Sequence, residues 1–587
     1  MAASPSTGSV SFQGGIRCLR LLFLLGFFFA LSLTLFTSAE SLQSASERVA
    51  LYLFTRQDTL WLGLGCVTIM VLLTTVGRRN FGISAWFLCL PSLPRLVAVM
   101  TLATLLVTAT GVHVVYHDYA LSLDEFLARF QAQTWLGGHV LAPLKAEWAD
   151  MAPALQPTFM RYDLAHGIWG PAYRPMAAAL IALFELVHLG KYSNAILAAG
   201  CLPVLAALAR RLWPAEGQAP ALAVFLLASA PQFLITASTP YAMTAHLFFS
   251  LLWLWFFLRG GVGGHIGAAL TGLVAVGLHQ INVHPFFVLP FLLSLLSDRR
   301  LRLAAAYALW YAAVLVFWVL WRDIVTIIIA TNEVTSAAEG QAFLKQITFL
   351  LERHSTSDLA YWLANLFRFF AWQNLILSPL LFVALMHWRQ APRPVRLLAW
   401  GIALSLLPYL LLMPSQGHGW GYRYLHPHLG SFALIAVYGW LQLKASLEAE
   451  ALERARRLLF MLAAVSVLIG LPLRAVQVER FVAPFATSSA YIAALPNDVV
   501  LVDGLDTWFG IDLVRNDPFL ERGPKVLEAN RLTDAALDRL CRRRVALVDF
   551  ETLQRFGMTV MPRSPGVREA ARRELRRTLQ QHGCLPS

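Results

Sequence analysis

Residues Leu303–Trp321 read LAAAYALWYAAVLVFWVLW, nineteen residues without a charge, directly after Arg299, Arg300 and Arg302. A helix rises 1.5 Å per residue and needs about 20 mostly apolar residues to cross a bilayer. The run therefore reads as a membrane span with its arginines gathered at one end. Twelve further blocks of the same kind flank it: Leu19–Thr37, Leu60–Val76, Leu96–Val115, Ser193–Ala209, Ala219–Thr236, Tyr241–Leu258, Ile266–Leu278, Pro285–Leu296, Phe370–His387, Leu397–Met413, Leu429–Leu443 and Leu458–Leu473. The 587-residue chain is 57% hydrophobic and 14% charged, with a mean hydropathy of +0.59. Soluble domains are about 45–50% apolar and about 25% charged. The expected fold class is an α-helical polytopic membrane protein of about thirteen transmembrane helices.

The formal net charge of +13 is explained by topology rather than by nucleic acid. Arg78/Arg79/Arg95, Arg210/Arg211, Arg259, Arg299/Arg300/Arg302, Arg389/Arg393/Arg396 and Lys444 through Arg457 all fall on the cytoplasmic side in one orientation, with a cytoplasmic N-terminus. That orientation requires Ala172–Leu189 to lie at the outer surface as a juxtamembrane helix, and its Tyr173, Arg174, Glu185 and His188 suit an interface. Arg17 and Arg20 ahead of Leu21–Phe36 also resemble the start of a signal peptide. The length of the apolar run and the spans after it favour a retained helix. Localisation to the inner (plasma) membrane follows.

Four segments result: N-terminal spans over 1–115, a first extracytoplasmic loop over 116–189, a membrane core over 190–473 with outer loops 322–368 and 414–428, and an extracytoplasmic tail over 474–587. In the tail, Val499–Val502 and Val545–Phe550 read as strands between helical stretches, which predicts a small α/β domain. Cys541 and Cys584 are the two cysteines of that tail. An extracytoplasmic compartment permits a disulfide between them, and two free thiols are the alternative. No CxxC or Cys/His zinc spacing occurs among the 6 cysteines. No cofactor signature is present, and a divalent metal is left open.

Chemistry is expected where polar residues crowd the outer ends of the spans. Ser122-Leu123-Asp124-Glu125-Phe126, after His117-Asp118-Tyr119, has the form of a helix start. Its acids either cap that helix through the macrodipole or act on a substrate, and Asp124 suits a general base acting on an acceptor hydroxyl. The third outer loop reads Gly417-His418-Gly419-Trp420-Gly421-Tyr422-Arg423-Tyr424-Leu425-His426-Pro427-His428. Arg423 there either forks onto a phosphate or snorkels to lipid headgroups. Tyr173-Arg174-Pro175 supplies a second candidate cation. His279, Gln280 and Asn282 sit at another span mouth, where polar groups are costly unless they face a cavity. With Asp118, Tyr173, His418, Tyr422 and Tyr424 they are the candidate lining of a substrate site.

At these residues the chain resembles the GT-C glycosyltransferases, in particular the group of the protein mannosyltransferases and the lipid A aminoarabinose transferase. Asp124-Glu125-Phe126 with Phe130-Gln131-Ala132 and Gly137-Gly138-His139 is similar to the acidic opening of that family's first loop. Gly170-Pro171-Ala172-Tyr173-Arg174-Pro175 is similar to a later segment, where a basic residue precedes proline. Arg210-Arg211-Leu212-Trp213 and Gly421-Tyr422-Arg423-Tyr424-Leu425-His426-Pro427 resemble its cytoplasmic turn and its Arg-Tyr loop. The likeness runs from about Asp118 to Trp440. The chain differs in having Arg where Lys is usual before Pro175, in two extra spans before Asp124, and in lacking Arg-Pro near Ile281–Pro285. The resemblance implies inverting sugar transfer from a polyprenyl-phosphate donor to a lipid or glycan acceptor, with Asp124 (beside Glu125) catalytic and Arg174 and Arg423 on the donor phosphate. A polysaccharide polymerase or ligase is an alternative. A transporter or flippase is another; it calls for paired ionisable groups inside the spans, which read as nearly free of them.

Overall fold

The computed structural model describes residues 20–32 apart from 22 and 29, 49–75, 92–330 apart from 157, 357–412, 416–558 apart from 505, 506 and 508, and 565–585. Most of the second polar region, together with Arg78, Arg79, Cys18 and Cys89, lies outside the described residues. The molecule is a helical bundle carrying two small sheets. Among the described residues, seven helices are long and apolar enough to cross a membrane: Val49–Thr74, Leu93–Val114, Gly190–Leu212, Ala242–Arg259, Leu301–Trp321, Arg393–Leu411 and Ala449–Ala494. An eighth span is formed if Ala219–Ala228 and Pro231–Ala237, bent by 60°, are taken together. The break lies at Pro231, which has no N–H to donate and pushes Ala230 out of the helical region, to ψ 117.

Three blocks read as spans form shorter apolar helices: Gly261–Val276, Val283–Ser297 and Leu377–Met386. Gly260 and Gly261, both at positive φ, and Gly277 bound the first of them. Met176–Glu185 is also short, and it packs on Leu123–Leu136. Small residues let the bundle close. A Cβ at Gly439 would collide with the backbone carbonyl of Leu380, so helices Leu377–Met386 and Leu429–Ser446 touch backbone to backbone, a common device between membrane helices.

The first polar region carries a three-stranded antiparallel sheet that the sequence pattern does not announce: β1 (Ala142–Pro143), β2 (Met160–Asp163) and β3 (Ile168–Pro171), in the order β1-β3-β2. The C-terminal sheet is parallel, with β4 (Val499–Val502), β5 (Lys525–Glu528) and β6 (Val545–Val548) in the order β5-β4-β6. Every residue of the central strand β4 is buried, as its unbroken apolar run requires. Cys541 and Cys584 are joined as a disulfide with Cα atoms 4.4 Å apart. Helix Leu471–Ala494 runs through residue 474, so the α/β part begins after it, at Val499.

These two polar regions are one body. Leu127, Phe130, Trp148 and Trp169 share a core with Val499, Leu501, Leu537 and Leu579. Trp169 Nε1–H donates to the Pro518 carbonyl at 3.0 Å, Asn516 Nδ2–H to that of Leu155 at 2.8 Å and Arg515 to that of Leu121 at 3.0 Å. The first loop and the tail domain therefore lie at the same end of the bundle. At its other end Arg300 meets His265, Arg393 meets Asp298 and Lys444 meets Glu216.

Candidate active site

Helix Leu123–Leu136 begins at Ser122, whose backbone N–H donates to Glu125 Oε2 at 2.7 Å. Glu125 thus closes a capping box, as its spacing from a serine N-cap favours. The preceding position of the same turn, Asp124, faces the bundle. Its carboxylate accepts from the Tyr173 hydroxyl, from Tyr241 Oη at 3.3 Å and from Arg423 Nη1 at 3.2 Å. The pair is largely enclosed, with side chains 12% (Asp124) and 13% (Arg423) exposed.

Arg423 comes from a loop shaped by glycine. Gly417, Gly419 and Gly421 have φ of 64°, 143° and 64°, a region that side chains with a Cβ rarely enter. The guanidinium bonds Tyr241 Oη, the His418 carbonyl at 3.1 Å and Tyr424 Oη at 3.2 Å. It lies 5.0 Å from the centre of the Tyr424 ring. Its Nε is buried with no partner among the described residues. Behind it Tyr424 stacks on Tyr409 with ring centres 3.8 Å apart, and the Tyr409 hydroxyl donates to Gln280 Oε1 at 2.5 Å. Asn282 lies close to the same tyrosine.

Tyr173 links Asp124 to a cavity of about 100 Å³ lined by its own ring with Arg174, Arg161, Trp135, Trp318 and Trp321 among others. Arg174 Nε is buried there without a partner among the described residues. The His279 ring packs on Tyr173, with ring centres 4.3 Å apart.

The sequence candidates are thus distributed as follows. Asp124, Tyr173, His279, Arg423 and Tyr424 meet in one cluster, with Arg174 across Tyr173. Tyr422 is beside it, its carbonyl accepting from Gln232 at 2.9 Å. His418 turns to the tail domain, where its Nε2 lies 3.2 Å from Asp512 Oδ2 and its ring packs on Phe509. Asp118 is exposed and pairs with His113 and Lys191. Sequence reasoning missed Tyr241, which touches both members of the central pair. Its place at the first residue of an apolar block on the same side as Asp124 was the available signal. Among the described residues no group of three His, Cys, Asp or Glu side chains is placed to hold a metal ion.

The electrostatics separate the two neighbouring acids. Burial opposes ionisation of Asp124, but Arg423, His279 and the Tyr173 hydroxyl outweigh it and hold the carboxyl below its ordinary pKa. Burial raises the Glu125 carboxyl, and the Ser122 amide only partly offsets that. Burial also lowers His279, against the pull of Asp124. At neutral pH the centre therefore holds an ionised aspartate on an arginine that has donors to spare.

No family model matches the chain, and neither does any curated protein. Among solved structures, the chain is similar to ArnT from Cupriavidus metallidurans bound to undecaprenyl phosphate, at 15% identity and a TM-score of 0.48, covering 73% of this chain and 85% of that one. The apo state of the same protein gives 15% identity and a TM-score of 0.45 over the same shares. The arabinofuranosyltransferase AftD from Mycobacteria gives 15% identity and a TM-score of 0.41, covering 74% of this chain and 32% of that one.

Proposed function

We propose that this protein is a membrane glycosyltransferase that moves a sugar from a polyprenyl-phosphate donor to an acceptor hydroxyl at the extracytoplasmic face. The observation that carries this is the buried Asp124–Arg423 pair. A carboxylate and a phosphate-type cation stand in contact, beside a cavity lined by two more arginines. A phosphate entering beside Arg423 finds an Nε donor still free and competes with Asp124 for the guanidinium. Loosening that pair removes the strongest influence lowering the Asp124 pKa, so donor binding itself makes Asp124 a better base.

In the reaction, Asp124 takes the acceptor's hydroxyl proton and the oxygen bonds to the anomeric carbon. The bond from that carbon to the phosphate oxygen breaks with its electron pair on the phosphate. Attack and departure on opposite faces give inversion. Arg423 and Arg174 stabilise the leaving polyprenyl phosphate, while Tyr173 and Tyr241 hold the carboxylate in place. Glu125 holds the helix start on which Asp124 rides. Arg210/Arg211, Arg259, Arg300 and Arg393 lie at the cytoplasmic end by the positive-inside rule, which puts the site and the tail domain outside. The test is to incubate purified protein with a panel of polyprenyl-phosphate sugars and acceptors and to follow release of polyprenyl phosphate. Release with one sugar, lost in Asp124→Asn, supports the reading; no release with any donor, under conditions where the protein is folded, refutes it.

A further inference from the structure

The sequence leads one to expect spans nearly free of ionisable groups, yet three meet in the interior. Asp58 stands within the first long span, Val49–Thr74, and Arg368 and Arg474 come from helices Ser357–Ala371 and Leu471–Ala494. All three side chains are fully buried. Arg368 Nε lies 2.8 Å from Asp58 Oδ2, and Arg474 Nη1 lies 2.8 Å from Asp58 Oδ1. Trp372 Nε1–H donates to Oδ1 at 2.7 Å. Both oxygens of Asp58 are therefore engaged, and the carboxylate cannot turn.

Held in this way, Arg368 points its Nη2 at the Gly419 carbonyl, 2.9 Å away. That carbonyl belongs to the glycine loop before Arg423, and the Gly419 Cα lies against the Arg423 stem: a Cβ there would stand 3.1 Å from Arg423 Cβ and Cδ. Neutral amides tie the loop as well. Gln416 donates to the Gly421 carbonyl and accepts from the Arg423 amide, at 2.8 and 2.9 Å, and Gln232 donates to the Tyr422 carbonyl. The tie at Gly419 is charged, and it leads through Asp58 to the first long span.

We infer that Arg368, oriented by Asp58, is a positioning residue for the donor-phosphate site, setting the Gly419 carbonyl and through it the place of the Arg423 guanidinium beside Asp124. This rests on the reading of Arg423 as a phosphate ligand. It gives the N-terminal span a part in a site that it does not line.

Arg368→Gln removes the tie and leaves Asp58 and Arg474 as a balanced pair, so the fold is expected to persist. Arg368→Lys keeps a charge on Asp58 but has no second nitrogen for Gly419, and is measured in the same way in case the glutamine variant does not accumulate. The readout is the Kd for undecaprenyl phosphate in detergent, with melting temperature recorded alongside. A purely structural role lowers the folded fraction but leaves the Kd of the folded protein unchanged. The expected result is a Kd raised about 10- to 100-fold, on the scale that displacements of about 1 Å produce elsewhere, and raised less than about threefold further when Arg368→Gln is added to Arg423→Lys. Wild-type affinity in folded Arg368→Gln or Arg368→Lys, or full additivity with Arg423→Lys, overturns the inference. Unchanged affinity in Arg423→Ala is a different result: it overturns the phosphate-ligand reading itself.

Discussion

Replacing Arg423 with alanine removes four hydrogen-bonding contacts around one enclosed cation: those to Asp124, Tyr241, the His418 carbonyl and Tyr424. Truncating one partner of a buried, charge-assisted contact costs about 2–5 kcal/mol. At about 1.4 kcal/mol per tenfold, that is a donor affinity weakened about 30-fold to several thousand-fold. Arg423→Lys keeps the charge but not the planar fork, and is expected to recover only part of the loss. The variant has a second signature. Arg423 is the strongest influence lowering the Asp124 carboxyl, and burial alone pushes the other way. Without the arginine the folded-state pKa rises, the carboxylate is protonated at a higher pH, and the acid limb of kcat/KM moves upward. The assay is titration of polyprenyl phosphate and of the lipid-linked donor against wild type, Arg423→Ala and Arg423→Lys, followed by pH profiles of turnover. A lipid-headgroup anchor behaves otherwise, with lysine substituting fully. Equal affinity in all three proteins removes Arg423 from the site, and an unmoved acid limb refutes the coupling to Asp124.

Asp124→Asn is expected to lower turnover about 10²–10⁴-fold while polyprenyl phosphate still binds, because the competing carboxylate charge on Arg423 is gone. Near wild-type turnover there, with Glu125→Gln inactive, would move the catalytic role to Glu125. An impermeant thiol reagent applied to intact cells is expected to label single cysteines placed in the first loop or the tail domain and to spare those near Arg300 or Arg393; labelling near Arg300 or Arg393 sinks the proposed orientation. The disulfide closes a segment with a sequence separation of 43, for which chain entropy predicts a contribution of about 4 kcal/mol to the tail domain. Cys541→Ser should therefore lower its melting temperature and abolish the effect of reductant, and two separately alkylated thiols in the unreduced wild type would contradict the bond.

What the sequence determined by itself was the class of fold and most members of the candidate site's central cluster. Runs such as Leu303–Trp321 are local facts: without water the backbone must satisfy itself, so an uncharged run of that length becomes a helix whatever surrounds it. The serine-to-glutamate spacing Ser122–Glu125 announced a helix start, and the alternating glycines before Arg423 announced an irregular loop, because each depends on a few adjacent residues. Tertiary structure decided which polar groups meet. Asp124 and Arg423 are 299 positions apart, Asp58 and Arg368 are 310 apart, and no periodicity spans such distances. Tyr241 read as the edge of an apolar block until packing turned its hydroxyl to both members of the pair. Asp58, Arg368 and Arg474 each stand just outside an apolar block, and nothing in the residues around them signals that they meet. Only the assembled bundle removes all three from solvent and makes their pairing obligatory. The sheet of the first loop was invisible for the same reason: strands of two to four residues carry too little alternation to read, and they exist because Trp169 has the tail domain to pack against.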